Sequence, residues 1–182
     1  LATAYYLAKN HGITNVAVIE KGWLGGGNTG RNTTVVRSDY LFPESAALYD
    51  LALRLYEGAS RDLNFNIMLS QRCYMTLIHS HHQLESARHK VNWMACNGVV
   101  GEIIDRDTVK QMVPLLNMSE SARNPVLGAF LQRRGGTIRH DAVAWGYARA
   151  ASDLGVDIVQ NCEVTGIRVE GGQIDSIGTE PI

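Results

Sequence analysis

The chain has little of what marks secreted, membrane or nucleic-acid-binding proteins. Only three of its 182 residues are cysteine, Cys73, Cys96 and Cys162. They are odd in number, far apart and in no C-x-x-C pattern. That excludes a disulfide framework and points to reduced thiols in a cytoplasmic protein. The formal net charge is −1, so there is no electrostatic case for nucleic acid or an anionic membrane as partner. No apolar run approaches the roughly 20 residues that span a bilayer. No signal-peptide pattern opens the chain. Gly25-Gly26-Gly27 lacks the Lys-Ser or Lys-Thr of a phosphate-binding P-loop, and no nucleophile elbow, H-E-x-x-H or Ser-His-Asp order occurs. A chain that starts at Leu1 inside a helical pattern, and stops soon after a hairpin pattern, reads as a piece of a longer one.

What is present is an ordinary globular composition, 45% hydrophobic and 19% charged, in a chain long enough for a real core. Leu1, Ala4, Tyr5 and Ala8 share a face, predicting a helix over 1–9 that Gly12 closes. Residues 16–20 predict a buried strand ending in Glu20. A loop over 21–34 follows. Helices are predicted over 44–62, 83–97, 107–113 and 140–154, the last with Asp141 in its first turn and Gly155 beyond its end. Strands are predicted over 67–79, 126–132 and 156–159. Gly171-Gly172 predicts a hairpin joining 163–169 to 173–177. Helix, strand, long excursion, helix, strand is an α/β order with a parallel sheet and an insertion.

A dinucleotide fold needs a first strand and a G-x-G-x-x-G turn before its first helix, and this chain starts at that helix. Counted from Leu1, Glu20 stands about where a ribose-binding acid belongs; otherwise it is a strand-end surface acid. Glycines in the following loop let backbone N–H groups approach phosphate. Arg31, Asn32, Thr33, Thr34 and Arg37 add two fixed cations and several donors, which suit carboxylate or phosphate; a plain polar loop would look the same. His79, His81 and His82 have no acid or cysteine nearby to complete a metal set, so they read as a solvated loop. His140 follows the flexible RRGGTIR and starts a helix. It is either part of a helix start or a histidine held at a cofactor site, since neutral imidazole is a nucleophile.

Three longer segments, LATAYYLAKNHGITNVAVIEKGWLGGGN, RNTTVVRSDYL and PVLGAFLQRRGGTIRHDAVAWGYARAASDLGVDIVQNCEVTGI, resemble the beta subunits of heterotetrameric bacterial sarcosine oxidases. These sit within the D-amino-acid-oxidase-like flavoenzymes. The resemblance implies a Rossmann-like FAD domain, lacking its first strand here, plus part of an α+β substrate domain. Residues 1–43 and 133–182 would be the two parts of the FAD domain and 44–132 an inserted region partly of the substrate domain. Glu20 matches the FAD ribose acid. Asn28, Thr33 and Thr34 match flavin-nucleotide contacts, with Arg31 and Asn32 beside them. Val164 matches a backbone contact at the adenine end. Arg37 matches the arginine that engages the substrate carboxylate. His140 matches the histidine that carries FMN covalently.

The resemblance further implies oxidation of sarcosine with oxygen, FAD accepting from substrate and FMN passing electrons on. It implies alpha, gamma and delta partner subunits, with NAD and tetrahydrofolate on a partner. The neighbouring alternatives are a dimethylglycine dehydrogenase-like enzyme or another flavin amine oxidase. A non-catalytic assembly subunit is the alternative from a different class.

Overall fold

The computed structural model describes all of residues 1–182. In chain order the elements are α1 (Ala2–His11), β1 (Ala17–Ile19), a 3-10 turn at Asn28–Arg31, β2 (Val35–Val36), α2 (Pro43–Asp62), β3 (Tyr74–Ile78), α3 (His81–Cys96), β4 (Glu102–Asp105), α4 (Arg106–Met112), β5 (Gly128–Gln132), β6 (Gly136–Thr137), α5 (His140–Asp153), β7 (Asp157–Val159), β8 (Cys162–Glu170) and β9 (Gln173–Pro181). They form two compact units. One is Leu1–Thr34, Gly58–Met68 and Ile138–Ile182; the other is Val35–Glu57 and Leu69–Thr137. The sequence places divisions after residues 43 and 132, whereas the units part after Thr34 and Thr137, and Gly58–Met68 returns to the first unit. That return has a packing cause. A Cβ on Gly146 of α5 would lie 3.3 Å from Leu63 and from Phe65 and 3.6 Å from Ile67.

In the first unit, α1 ends because Gly12 takes φ 65°, and the freed carbonyls of Leu7 and Ala8 are bonded there. α1 meets α5 through Tyr5, Tyr6 and Tyr147, whose rings lie edge to face at 5.0, 5.5 and 6.1 Å. Such pairs add about 1 kcal/mol each beyond their buried area. The buried face of α5 is otherwise small, with Ala144, Gly146, Ala148 and Ala151, which lets neighbours approach closely. β1 and β7 pair in parallel, Ala17 opposite Asp157 and Ile19 opposite Val159. This is the α/β arrangement with parallel pairing that the element order predicts. β8 and β9 form the hairpin, longer than predicted; Gly171 and Gly172 both take positive φ, 59° and 80°, as a two-residue turn of this type requires.

In the second unit, β5 lies between β3 and β4, antiparallel to both. All five of its residues are buried. Ala129 and Leu131 pack with Ile104, Val109 and Val126, while Phe130 packs with Ala46, Met94 and Val99. This alternation gives the sheet two apolar faces. β2 pairs with β6, Val36 opposite Gly136.

Three local expectations need correction. The strand predicted over 67–79 is only Tyr74–Ile78, because Met68 and Cys73 take φ 55° and 73°, and no extended strand runs through such residues. β4 was not expected: its four residues, EIID, are too short and too charged to announce a strand. α3 starts at His81, with Ser80 accepting a bond from the Gln83 N–H. His81 and His82 therefore sit in the first helical turn and not in a loop. No group of three or more His, Cys, Asp or Glu side chains is placed to hold a metal ion. No helix is long and apolar enough to cross a membrane.

Candidate functional site

The first unit gathers one set of candidate residues. β1 delivers Glu20 just past its last residue. The Glu20 backbone is fixed on both sides, its N–H donating to Val159 O at 2.8 Å and its carbonyl accepting from the Cys162 N–H at 3.0 Å. Its Oε1 accepts from the Gly22 N–H at 2.8 Å. The second carboxylate oxygen makes no bond within the chain. Gln160, which the sequence did not single out, supports the loop from β7, its Oε1 accepting the Leu24 N–H at 2.8 Å. Its only sequence signal is its place beyond a strand that pairs with β1.

The loop is built by close backbone approach. A Cβ on Gly30 would lie 2.5 Å from Gly25 O, so a larger residue there would force the loop apart. Both ends of the Asn32 amide are spent inside the loop: Nδ2 donates to Thr29 O at 2.5 Å and Oδ1 accepts the Thr34 N–H at 2.7 Å. Asn32 thus shapes the loop. Asn28, Arg31 and Thr33 are exposed and have no side-chain bond within the chain. Thr34 takes φ 62°, and its carbonyl accepts the Ile138 N–H at 2.9 Å. A Cβ on Gly25 would lie 3.8 Å from the Cβ of Ala144. The loop therefore adjoins the start of α5, where His140 stands.

His140 is the first residue of α5. Its Nδ1 is buried and has no hydrogen-bond partner. The residue as a whole is half-buried. Arg139 and Asp141 clamp each other beside it, Nε to Oδ1 at 2.9 Å and Nη2 to Oδ2 at 2.5 Å. The Arg139 bond, opposed in part by desolvation and helped by the Ala142 N–H and the Arg139 charge, draws the Asp141 carboxyl from its ordinary 3.8 down to about 2. A depressed folded value means the clamp's contribution is fully present above pH 3.8 and is lost as pH falls through about 2. A carbon-detected NMR titration is expected to give a midpoint near 2 for Asp141, returning toward 3.8 in Arg139→Gln. A wild-type midpoint near the ordinary value would refute the clamp.

Val164 lies in β8 opposite Thr179, two residues beyond the Cys162 N–H that meets Glu20. Lys21 Nζ pairs with Glu163 Oε1 at 2.5 Å beside it. Its backbone thus runs past the end of β1, near Glu20.

The second unit holds Arg37, directly after β2. Its Nη1 donates to Asp39 Oδ1 at 2.7 Å. Its guanidinium lies 5.0 Å from the Tyr40 ring centroid and 4.9 Å from that of Tyr74, which holds the plane by cation–π attraction. Burial is the largest single effect and works against the Arg37 charge, but the bond to Asp39, the Asp39 charge and the nearby Tyr74 and Tyr40 together outweigh it, so its pKa is raised. Nε and Nη2 make no bond within the chain. Arg37 lines a cavity of about 170 Å³ with Tyr40, Tyr49, Leu53 and Tyr56; Tyr40 and Tyr49 stack at 3.9 Å. Burial pushes the Tyr40 phenol up, Arg37 opposing and Tyr49 reinforcing, so it stays protonated at neutral pH.

The Arg37 segment is held by residues that sequence reasoning missed. The Ser38 N–H donates to Gln132 Oε1 at 3.0 Å and Gln132 Nε2 donates to Ser38 Oγ at 2.9 Å. Both residues are buried, as is Asp50, which takes Arg134 at 2.9 Å and Arg54 at 2.5 Å. Buried polar groups of this kind are satisfied side chain to side chain because water is excluded.

The profile of the family described as "FAD dependent oxidoreductase" matches residues 1–181. The protein named sarcosine oxidase subunit beta in Rhodobacter capsulatus is 56% identical over 98% of this chain and 43% of its own length. Its namesake in Rhizobium meliloti is 54% identical over the same shares, 98% and 43%. Among solved structures, L-proline dehydrogenase from P. horikoshii superposes with a TM-score of 0.86 at 25% identity, covering 97% of this chain and 45% of that one. The chain thus spans less than half the length of the curated relatives it matches. A match over nearly every residue leaves the conclusion plain: this chain belongs to the FAD-dependent oxidoreductase family.

Proposed function

We propose that this chain is the flavin-binding part of an enzyme that oxidises sarcosine, or a close N-methyl amino acid, with oxygen. The observation that carries this reading is the open edge of Arg37, a fixed guanidinium in a small tyrosine-walled cavity. Such an edge suits the carboxylate of a small amino acid. The name that the two bacterial relatives share supports the choice of sarcosine and the assignment as a beta subunit. In that assignment alpha, gamma and delta subunits complete a cytoplasmic heterotetramer, and NAD and tetrahydrofolate belong to a partner.

Arg37 binds the carboxylate through Nε and Nη2 and so orients the N-methyl group. Tyr40, Tyr49 and Tyr56 exclude water around it. The residues of the first unit fit a dinucleotide. The unbonded oxygen of Glu20 suits a ribose hydroxyl, the loop of Asn28, Arg31, Asn32, Thr33 and Thr34 suits the rest of FAD, and the Val164 backbone suits the adenine end. His140 fits a covalent FMN, because its half-buried imidazole carries an enclosed Nδ1 that has no partner within the chain. Bound there, the flavins supply a hydride acceptor for the substrate and an electron donor for oxygen. The balanced outcome is sarcosine, O2 and water to glycine, formaldehyde and H2O2; when tetrahydrofolate takes the one-carbon unit it is consumed in place of water, and methylene-tetrahydrofolate forms in place of formaldehyde.

The complete enzyme, purified with its partner subunits, tests this. Sarcosine is expected to yield one H2O2 per glycine formed. Turnover of dimethylglycine with an artificial acceptor, and no peroxide from sarcosine, would favour the dehydrogenase instead. Absence of bound flavin would favour an assembly subunit.

A further inference from the structure

Asp39 is the most enclosed charge in the second unit, with a side chain 0% exposed. It has two cationic partners. Arg37 Nη1 meets Oδ1 at 2.7 Å and Lys90 Nζ meets Oδ2 at 2.5 Å. The three form a line in which each carboxylate oxygen serves one cation. Lys90 comes from the middle of α3, 51 positions along the chain. It is itself held, its Nζ lying 4.5 Å over the Phe130 ring on the central strand β5. Both cations are mostly enclosed, with side chains 31% and 25% exposed.

This arrangement does two things to Arg37. It fixes one edge of a planar group, and the two tyrosine faces fix the plane, so Nε and Nη2 have a defined direction. It also sets the charge around that free edge. Arg37 and Asp39 alone would sum to zero and offer a carboxylate little net attraction. Lys90 restores a net charge of +1. We propose that Asp39 is a positioning residue for Arg37, and that Asp39 and Lys90 together set the charge with which Arg37 meets a substrate carboxylate. The inference rests on the reading of Arg37 as the carboxylate site.

The physical consequence is a pair of opposite effects. Neutralising Asp39 leaves two uncompensated cations, Arg37 in the cavity wall and Lys90 behind it, and neutralising Lys90 leaves none in excess. At the intermediate dielectric of a half-buried site, one unit charge several ångströms away changes anion affinity by about three- to tenfold. A purely structural ion cluster predicts no such pattern, since damage to packing weakens binding from either end.

The experiment uses the complete flavin-bearing enzyme and acetate as a small non-reacting carboxylate. Binding is followed by the change in flavin absorption and by calorimetry. Asp39→Asn is expected to tighten acetate binding and yet to lower kcat for the N-methyl amino acid at least tenfold, because Arg37 is no longer aimed. Lys90→Met is expected to weaken acetate binding, and Lys90→Arg to restore it. If Asp39→Asn fails to fold, the Lys90 pair alone decides. Acetate affinity that moves in the same direction in Asp39→Asn and Lys90→Met, or that Lys90→Met leaves unchanged, overturns the proposal. Arg37→Ala separates the two claims. If it abolishes acetate binding while the Asp39 and Lys90 variants behave like wild type, the site reading stands and this inference falls. If it leaves acetate binding untouched, the site reading itself falls and takes the inference with it.

Discussion

An Arg37→Met variant of the complete enzyme is expected to lose about a thousandfold in kcat/KM toward its N-methyl amino acid. Two charge-assisted hydrogen bonds from Nε and Nη2 are worth about 1.5–3 kcal/mol each, and every 1.4 kcal/mol is about tenfold in rate. Methionine keeps the length and the contact with Tyr40 and Tyr74 but offers no donor. Folding is expected to survive, because Asp39 retains Lys90 at 2.5 Å and is not left an unpaired buried charge. Arg37→Lys is expected to fall between, since an ammonium gives one point contact where the guanidinium offers a fork. Steady-state kinetics at saturating oxygen read the effect, with thermal melting as the control for folding. A loss of less than tenfold in Arg37→Met, with flavin still bound, would remove Arg37 from the substrate site.

How far such a site was legible in the sequence depends on the distance over which its parts communicate. Arg37 and Asp39 are two residues apart, and their pairing is local. Lys90 and Gln132 reach the same segment from α3 and β5, and nothing in their own neighbourhoods marks them as partners of a loop near residue 38. Their signal is polarity at positions the core encloses, and burial is a property of the fold. The helices announced themselves through apolar spacing and through glycines such as Gly12 and Gly155 that end them. β4 did not, because a four-residue strand carries too few positions to show alternation. The overlong strand from residue 67 failed for a different reason. Met68 and Cys73 hold left-handed backbone that no side-chain pattern announces, and the strand can begin only after them. The strand end before Glu20 and the glycine loop after it were readable as local structure because that geometry is made by backbone, and glycine reports backbone directly. Gln160 was not, since its contribution is one side-chain bond to Leu24 N–H from across the sheet.

His140→Ala is expected to give the second large effect, complete loss of the covalent flavin proposed there. The substitution is unusually clean. His140 Nδ1 has no hydrogen-bond partner, so replacing the ring breaks no hydrogen bond made through it. The start of α5 does not depend on the imidazole: its N-cap residue is Arg139, which makes no side-chain cap bond, and the Arg139–Asp141 clamp is untouched. Alanine is also the best helix former. The folded subunit is therefore expected to persist, with assembly and melting close to wild type, while the tether disappears. Wild-type subunit run on a denaturing gel is expected to show flavin fluorescence, and intact-mass measurement a mass increase equal to FMN. The variant is expected to show neither. FAD that dissociates on denaturation is expected to remain in both, because its proposed contacts lie at Glu20 and the loop before β2. A fluorescent band retained by His140→Ala would mean that another residue carries the flavin, and the proposed division of labour between His140 and the glycine loop would have to be abandoned.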